Sequence, residues 1–344
     1  MKTGDSGEFG LISRIAAQVH SHQGVITGIG DDAAVTVLTP DMQLLTSTDM
    51  LMEDIHFRRR WHDPYRLGRK SLAVSISDLA AMGAIPRWAL LSLAIPADLP
   101  PNFITECTHG FLAMAEEYSV TLIGGDTCAS RSGLVISVTI MGEQRPELIL
   151  RRSGARPGDD IWVSGTLGDA ALGLKLLDFG FDSAQPRDSA GHTGRSLSGA
   201  EGAVSRLLDP TPRVTAGLAL AASGLVTSMI DISDGILADF GHIAELSGVG
   251  GCLHLDDLPV SDCFRSIASA FNDFPHDLPL SGGEDYELCF TASPGDREKI
   301  IGLMKKCGNQ ATAVGIVSRQ PEVTVVRADG SSYTPLSKGF NHLI

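Results

Sequence analysis

The stretch Val226-Thr-Ser-Met-Ile-Asp-Ile-Ser-Asp-Gly-Ile236 decides the fold. Val226 to Ile232 is mostly apolar and predicts a strand. Ile236 to Leu246 predicts a helix. Between them, Asp234 is suited to cap the helix and Gly235 to take the bend. The same pattern, an apolar run ending in carboxylates beside Gly, Ser or Thr, recurs in Gly28-Ile-Gly-Asp-Asp32, Ser47-Thr-Asp49 and Ile123-Gly-Gly-Asp126. Strands and helices interleave along the whole chain, so the fold class is α/β or α+β.

Upstream, Phe9 to Val19 predicts a short amphipathic helix. Ala33 to Leu38 and Leu44 to Thr48 predict strands around a Pro40-Asp41 turn. Pro64 to Met82 predicts a long helix, because Leu72, Ile76, Leu79 and Ala80 share one stripe and Gly83 supplies a stop. Trp88 to Ile95 predicts a strand and Asn102 to Tyr118 a helix capped by Asn102. Thr121 to Ile123 and Leu134 to Met141 predict two more strands. The basic, turn-rich Arg151-Arg-Ser-Gly-Ala-Arg-Pro-Gly158 marks a crossing into a second domain, giving domains at 1–150 and 151–344. There Asp160 to Ser164 predicts a strand, Leu167 to Leu177 a helix, and Thr211 to Ala222 a helix with Pro212 in its first turn. Tyr286 to Thr291, Ala311 to Val317 and Glu322 to Val326 predict strands, and Arg297 to Cys307 a helix. Residues 180–202, rich in Ser, Gly, Asp and Ala, predict an exposed mobile loop.

The 344 residues exceed one ordinary core. Hydrophobic residues make up 43%, enough for a sizeable core and against global disorder. A net charge of -14, from 41 acidic and 27 basic residues, argues against nucleic acid or anionic membrane as the main partner, since both need a basic face. It leaves room for a polyanionic small substrate, because bound cations invert local charge. Cys107, Cys128, Cys252, Cys263, Cys289 and Cys307 form no C-x-x-C pair and no zinc-finger spacing, and read as reduced thiols of a cytoplasmic protein. Met1-Lys-Thr-Gly-Asp-Ser-Gly7 lacks the apolar core of a signal peptide, and no apolar run is long enough to cross a bilayer.

One carboxylate at a strand end is an ordinary turn residue. Several brought together repel one another unless cations neutralise them, and hard oxygen ligands suit Mg2+ beside substrate phosphates. The acids therefore predict a multi-metal nucleotide site, each against a plainer alternative. Asp31 and Asp32 serve equally as turn residues accepting backbone N–H bonds. Ser47, Thr48 and Asp49 close a strand, where hydroxyl and carboxylate reach one ion or cap a turn. Asp78, taken alone, reads as a solvated helix face, yet a carboxylate on so apolar a helix needs a partner. Gly124 and Gly125 let backbone approach a phosphate, and Asp126 can hold its metal. Asp231 and Asp234 stand before a helix N-terminus, which attracts anions. Ser281-Gly-Gly-Glu-Asp-Tyr-Glu-Leu288 repeats the Gly-Gly-acid theme and faces either a cationic ligand or solvent. His56 lies close to the Ser47–Asp49 segment, and reads more simply as a packed or exposed residue. Lys70 and Arg152 are candidate phosphate contacts that serve as well as solvated cations. Walker, G-x-G-x-x-G, H-E-x-x-H and G-x-S-x-G patterns are absent, which leaves P-loop, Rossmann, zincin and hydrolase schemes unsupported.

Eight motifs occur in order: Gly28-Ile-Gly-Asp-Asp32, Ser47-Thr-Asp49, Ile55-His-Phe57, Ser77-Asp-Leu-Ala-Ala-Met-Gly83, Ile123-Gly-Gly-Asp-Thr127, Arg152-Ser-Gly-Ala-Arg-Pro-Gly-Asp159, Ile230-Asp-Ile-Ser-Asp-Gly-Ile236 and Ser281-Gly-Gly-Glu-Asp-Tyr-Glu-Leu288. This order resembles the bacterial thiamine-monophosphate kinases, of the aminoimidazole-ribonucleotide-synthetase-like superfamily. The resemblance runs from Gly7-Glu-Phe9 to Lys338-Gly-Phe340. It implies two α/β domains, the N-terminal sheet forming a barrel across a homodimer. It implies ATP as co-substrate with several Mg2+ ions at its phosphates, and direct phosphoryl transfer to thiamine monophosphate with no catalytic side-chain nucleophile. By position, it implies metal ligands at Asp31, Ser47, Thr48, Asp49, Asp78, Asp126, Asp231 and Asp234. It implies ATP contacts at Gly125, Asp126, Arg152 and Ser233, and thiamine phosphate contacts at His56, Glu284 and Phe340. The chemistry agrees, since phosphoryl transfer mostly needs positioning and charge neutralisation. Glu284 would offset the thiazolium charge and Phe340 would stack on a ring face. Two departures stand out: residues 180–202 exceed the family minimum, and His109 stands where relatives approach adenine. The alternatives are a sister ATP-dependent synthetase or maturation factor, and a nucleotide-binding regulator without turnover, which predicts an interrupted ligand set.

Overall fold

The computed structural model describes residues 8–20, 22–100, 102–180, 200–268 and 275–339. The chain divides into two compact units, Met1–Leu79 with Ala84–Glu147, and Ala80–Gly83 with Leu148–Ile344.

The first unit runs α1 (Glu8–Ala16), β1 (Val25–Thr27), β2 (Val35–Thr36), β3 (Gln43–Met52), α2 (Pro64–Ala81), β4 (Ile85–Pro96), α3 (Phe103–Glu117), β5 (Thr121–Ser130) and β6 (Val135–Gln144). Its main sheet has the order β3-β6-β4-β5, so β3 and β5 are its edges. Only β4–β5 is parallel there. Along β3, Leu45 and Leu51 are buried while Leu44, Thr46, Thr48, Met50 and Met52 are exposed. Side chains alternate faces along a strand, so Ser47 and Asp49 share the covered face and Thr48 the open one. Helix α2 is enclosed far beyond its apolar stripe: Ser71, Ser75 and Ser77 are as buried as Leu72 and Ile76. Asn102 stands at the N-cap of α3, although its side chain makes no capping bond.

Strand β5 departs from the expectation. It runs through Gly124-Gly125-Asp126 instead of ending at Ile123. Its register with β4 shifts at Ile123, as a bulge does. A Cβ on Gly125 would lie 1.8 Å from the Leu91 carbonyl oxygen. Glycine is needed there for the backbones to approach, and glycine carries no strand propensity of its own.

The second unit runs β7 (Asp160–Ser164), α4 (Asp169–Asp178), α5 (Ala200–Leu208), α6 (Val214–Ser223), β8 (Val226–Ile232), α7 (Ile236–Ser247), β9 (Gly250–His254), α8 (Asp262–Ala268), α9 (Asp277–Ser281), β10 (Glu287–Ala292), α10 (Arg297–Lys306), β11 (Ala311–Ser318) and β12 (Val323–Val326). Its sheet order is β12-β9-β11-β7-β10-β8. Both faces are covered. Ile161, Val163, Ile230, Ile232 and Cys289 pack with Phe240 and Ile243 of α7 on one side. Their alternates Trp162, Met229, Leu288 and Phe290 pack with Leu220 of α6 and Ile300 and Met304 of α10 on the other. Trp162 and Phe290 stack with centroids 6.1 Å apart.

The expected 180–202 loop falls mostly outside the described residues, and its end is not loop. Residues 200–202 begin α5, and Ala200 is fully buried with Ala203, Val204, Leu207 and Leu208. That spacing is a helical apolar stripe, masked in the sequence by the polar tract before it. Helix α6 begins at Val214, after Pro212. Both units are mixed α/β. Among the described residues, neither sheet closes on itself into a barrel.

Candidate functional site

In the first unit, β3 and α2 exchange one hydroxyl and one carboxylate each. Ser75 Oγ donates to Asp49 Oδ2 at 2.6 Å, and Ser47 Oγ donates to Asp78 Oδ2. Residues two apart on a strand and three apart on a helix project to one side, which is why the two pairs meet. Asp78 is the one residue of 71–80 that is not buried. It is therefore no solvated helix face: its helix is enclosed and its carboxylate is partnered. Ser137 Oγ donates to the Asp49 carbonyl at 3.2 Å and ties this point to β6.

Thr48 is on the other face, where its hydroxyl donates to the Val138 carbonyl at 3.1 Å. Asp126 is also apart. Asp49 pairs with Val138, Val138 with Leu91, and Leu91 with Gly125. Three strand spacings separate the Asp49 and Gly125–Asp126 positions, about 14 Å. The Thr127 N–H donates to Asp126 Oδ1 at 2.8 Å. Asp31, beyond β1, accepts the Asp32 N–H at 2.9 Å, as a turn residue does. Among the described residues, no three His, Cys, Asp or Glu side chains gather at metal-binding distance. Ser47, Asp49 and Asp78 come together, while Asp126 does not join them. The donors are carboxylate and hydroxyl oxygens, the set that suits Mg2+.

His56 follows β3 in a tight turn in which Asp54 has φ 66. Its Nδ1 accepts the Met52 N–H at 2.9 Å. The neutral ring then carries its proton on Nε2.

In the second unit, β8 delivers Asp231 into the protein, 4% exposed. Gly235, not Asp234, takes the N-cap of α7, with φ 108. Asp239, in the first turn, instead holds the loop that enters the helix: its Oδ2 accepts the N–H groups of Ser233 and Asp234, each at 3.1 Å. Sequence reasoning missed Asp239, although an acid in a helix's first turn is a recognisable signal. Burial, then the charges of Asp231 and Asp234, push its carboxyl up to about 8.

The acidic turn folds onto the same place. The Glu284 N–H donates to the Ser233 carbonyl and the Tyr286 N–H to the Ile232 carbonyl, both at 2.8 Å. A Cβ on Gly339 would lie 2.9 Å from the Asp234 carbonyl oxygen. Ser233, Asp234, Glu284 and the Lys338-Gly339 segment thus converge. Phe340 itself lies outside the described residues. Arg152 is exposed beside this unit's sheet, its neighbour's carbonyl accepting the Met229 N–H at 2.9 Å.

Residues 30–144 match the family model described as AIR synthase related protein, N-terminal domain, and residues 156–327 match its C-terminal domain. The chain is 37% identical over 337 residues to the thiamine-monophosphate kinase of Salmonella typhimurium, covering 98% of each. Its structure is similar to that of a thiamine-monophosphate kinase from Stenotrophomonas maltophilia, with a TM-score of 0.81 and 40% identity over 95% of this chain and 98% of that one. It is also similar to AaThiL complexed with AMPPCP and TMP, with a TM-score of 0.73 and 30% identity over 100% and 99% of the two chains.

Proposed function

Because the chain belongs to the thiamine-monophosphate kinase family of AIR synthase related proteins, we propose that it transfers the γ-phosphoryl group of ATP directly to the phosphate of thiamine monophosphate. The product is thiamine diphosphate. One observation carries most weight: a relative alike over its whole length holds AMPPCP and TMP together. Identity at this level across both units favours the kinase over a sister synthetase or maturation factor. An acid at each expected carboxylate position, Asp31, Asp49, Asp78, Asp126, Asp231 and Asp234, speaks against a regulator without turnover.

Direct transfer asks the protein for positioning and charge neutralisation, not for a nucleophilic side chain. We assign the metal-ligand role to Asp31, Ser47, Thr48, Asp49, Asp78, Asp126, Asp231 and Asp234. Mg2+ held there would lower the repulsion between the two phosphates. The separation of Asp49 from Asp126 across the sheet supports two groups of ligands rather than one. Gly125, Asp126, Arg152 and Ser233 hold ATP. His56 presents Nε2–H to the acceptor phosphate, Glu284 offsets the thiazolium charge, and Phe340 stacks on a ring.

We also propose a homodimer built on the first unit, the 1–150 domain, whose sheet closes as a barrel with its twin. Leu44, Met50 and Met52 on the open face of edge strand β3 are exposed, as are Ile26, Val35 and Val37. An apolar edge of this kind invites another chain. We place the protein in the cytoplasm, where its six cysteines, with no C-x-x-C spacing, suit a reducing environment. Among the described residues, no helix is long and apolar enough to cross a membrane.

The test is purified protein with Mg-ATP and thiamine monophosphate, products resolved by chromatography. Thiamine diphosphate and ADP in equal amounts are expected. ATP hydrolysis without thiamine diphosphate, or no turnover, overturns the proposal.

A further inference from the structure

We infer that Arg206 is a positioning residue that holds the turn 281–286 in the shape that presents Glu284 to the acceptor. The inference rests on the assignment of Glu284 to thiamine monophosphate. Glu284 has φ 68 and Tyr286 has φ 50. Non-glycine residues seldom adopt such conformations, and keep them only when the surroundings hold them there. Two in three residues mark a turn under external constraint.

The constraint is visible on both sides. From the end of β8 and the residue after it, the Ile232 and Ser233 carbonyls accept the Tyr286 and Glu284 N–H groups respectively. From the opposite side, Asp285 is buried and both its carboxylate oxygens face the Gly168 N–H, at 2.9 and 3.1 Å. Arg206 Nη2 donates to the Asp285 carbonyl at 3.1 Å and to Glu287 Oε1 at 2.8 Å. A single guanidinium nitrogen thus bridges the strained turn to the start of β10. Glu287 is wholly buried and also takes Ser164 Oγ at 2.7 Å and a two-pronged contact from Arg213.

Two features separate this from ordinary charge pairing. Arg213 already matches Glu287 with two N–H bonds, so Glu287 stays neutralised without Arg206. Among the described residues, the buried Arg206 Nε–H has no hydrogen-bond partner. The side chain leaves one donor unsatisfied while Nη2 reaches the turn, an orientation set by that contact. Helix α5 holds Arg206 in place by burying Ala203, Val204 and Leu207.

Releasing the turn lowers the fraction of molecules competent to bind acceptor and leaves ATP binding alone. If that fraction falls to about one tenth, apparent affinity for the acceptor falls about tenfold. The experiment uses the full chain carrying Arg206→Met, which keeps an apolar stem and removes the donors, with Arg206→Lys as the conservative variant. Arg206→Met is expected to raise KM for thiamine monophosphate about tenfold, move KM for ATP less than about twofold, and speed amide hydrogen exchange at Glu284 and Tyr286. Arg206→Lys, with one ammonium for two acceptors, should fall between wild type and Arg206→Met. Equal rises for both substrates, or unchanged KM and exchange in folded Arg206→Met, overturn the inference. Should Arg206→Met not fold, wild-type KM for thiamine monophosphate in Arg206→Lys overturns it. A wild-type protein without thiamine monophosphate turnover fails the kinase proposal instead, and exchange at Glu284 and Tyr286 then decides whether the clamp exists.

Discussion

Gly125→Ala is expected to destabilise the protein in the absence of any nucleotide. The added Cβ would stand 1.8 Å from the Leu91 carbonyl oxygen and 2.7 Å from its carbon, both main-chain atoms that cannot rotate away. An ordinary carbon–oxygen contact is about 3.3 Å, so β5 must retreat from β4 by about 1.5 Å. A ladder hydrogen bond of about 2.9 Å does not survive that displacement. The pairings in reach are Leu90 with Gly124, Leu91 with Gly125 and Ser92 with Asp126. Losing about two bonds at about 1 kcal/mol each, with overpacking of about 1–3 kcal/mol, gives a total of about 3–5 kcal/mol. At about 2–4 °C per kcal/mol the midpoint drops on the order of 10 °C. Thermal and urea unfolding of the nucleotide-free protein measure it directly. A variant with a wild-type midpoint and only a raised KM for ATP would refute this reasoning, and would mean that Gly125 is glycine for the nucleotide's sake alone.

Asp49→Asn and Asp126→Asn are expected to lose activity about a hundredfold or more while unfolding near the wild-type midpoint, because electrostatic stabilisation of phosphoryl transfer is large; near wild-type turnover in either removes it from the metal ligands. Met50→Glu places a charge in the open face of β3 and should convert a dimer to monomer by light scattering; an unchanged mass with full activity moves the interface elsewhere. Asp285 is pushed from 3.8 up to about 8, chiefly by burial. The fold favours its protonated form, so this stability is complete below about pH 4 and is lost as pH rises through about 8. Asp239 is raised over the same window, so wild-type stability should fall across it by up to about 1.4 kcal/mol per pH unit for each of the two groups, and Asp285→Asn should make the profile shallower by the share of one. Parallel profiles would show that Asp285 is ionised in the fold. Phe340→Ala is expected to raise KM for thiamine monophosphate well above any change for ATP, costing on the order of 1 kcal/mol; a rise for ATP alone would place the acceptor pocket elsewhere.

The candidate site was legible where chemistry is written in residue type and order. The carboxylates beside Gly, Ser and Thr stand out in the chain, and their succession carries the family. Its assembly was not legible. The Ser75–Asp49 bond joins residues 26 apart and the Arg206–Glu287 pair residues 81 apart. Neither leaves a periodic trace. Asp239 went unnoticed because its role is set by which amides turn toward it. Arg206 sits at the edge of a polar tract that reads as loop.

By itself, the sequence determined the alternation of strands and helices. Strands β7 and β8 fall on Asp160–Ser164 and Val226–Ile232 as local apolar content predicts. It also determined the family, through eight motifs in order. Only the tertiary structure decided that β5 continues through two glycines, that Thr48 faces away from Ser47 and Asp49, and that Asp78 is partnered on an enclosed helix. The physical reason is the range of the forces. Propensity and periodicity act between neighbours in the chain, whereas a strand's faces, a glycine's necessity and a buried acid's partner are set by whichever backbone folds against them.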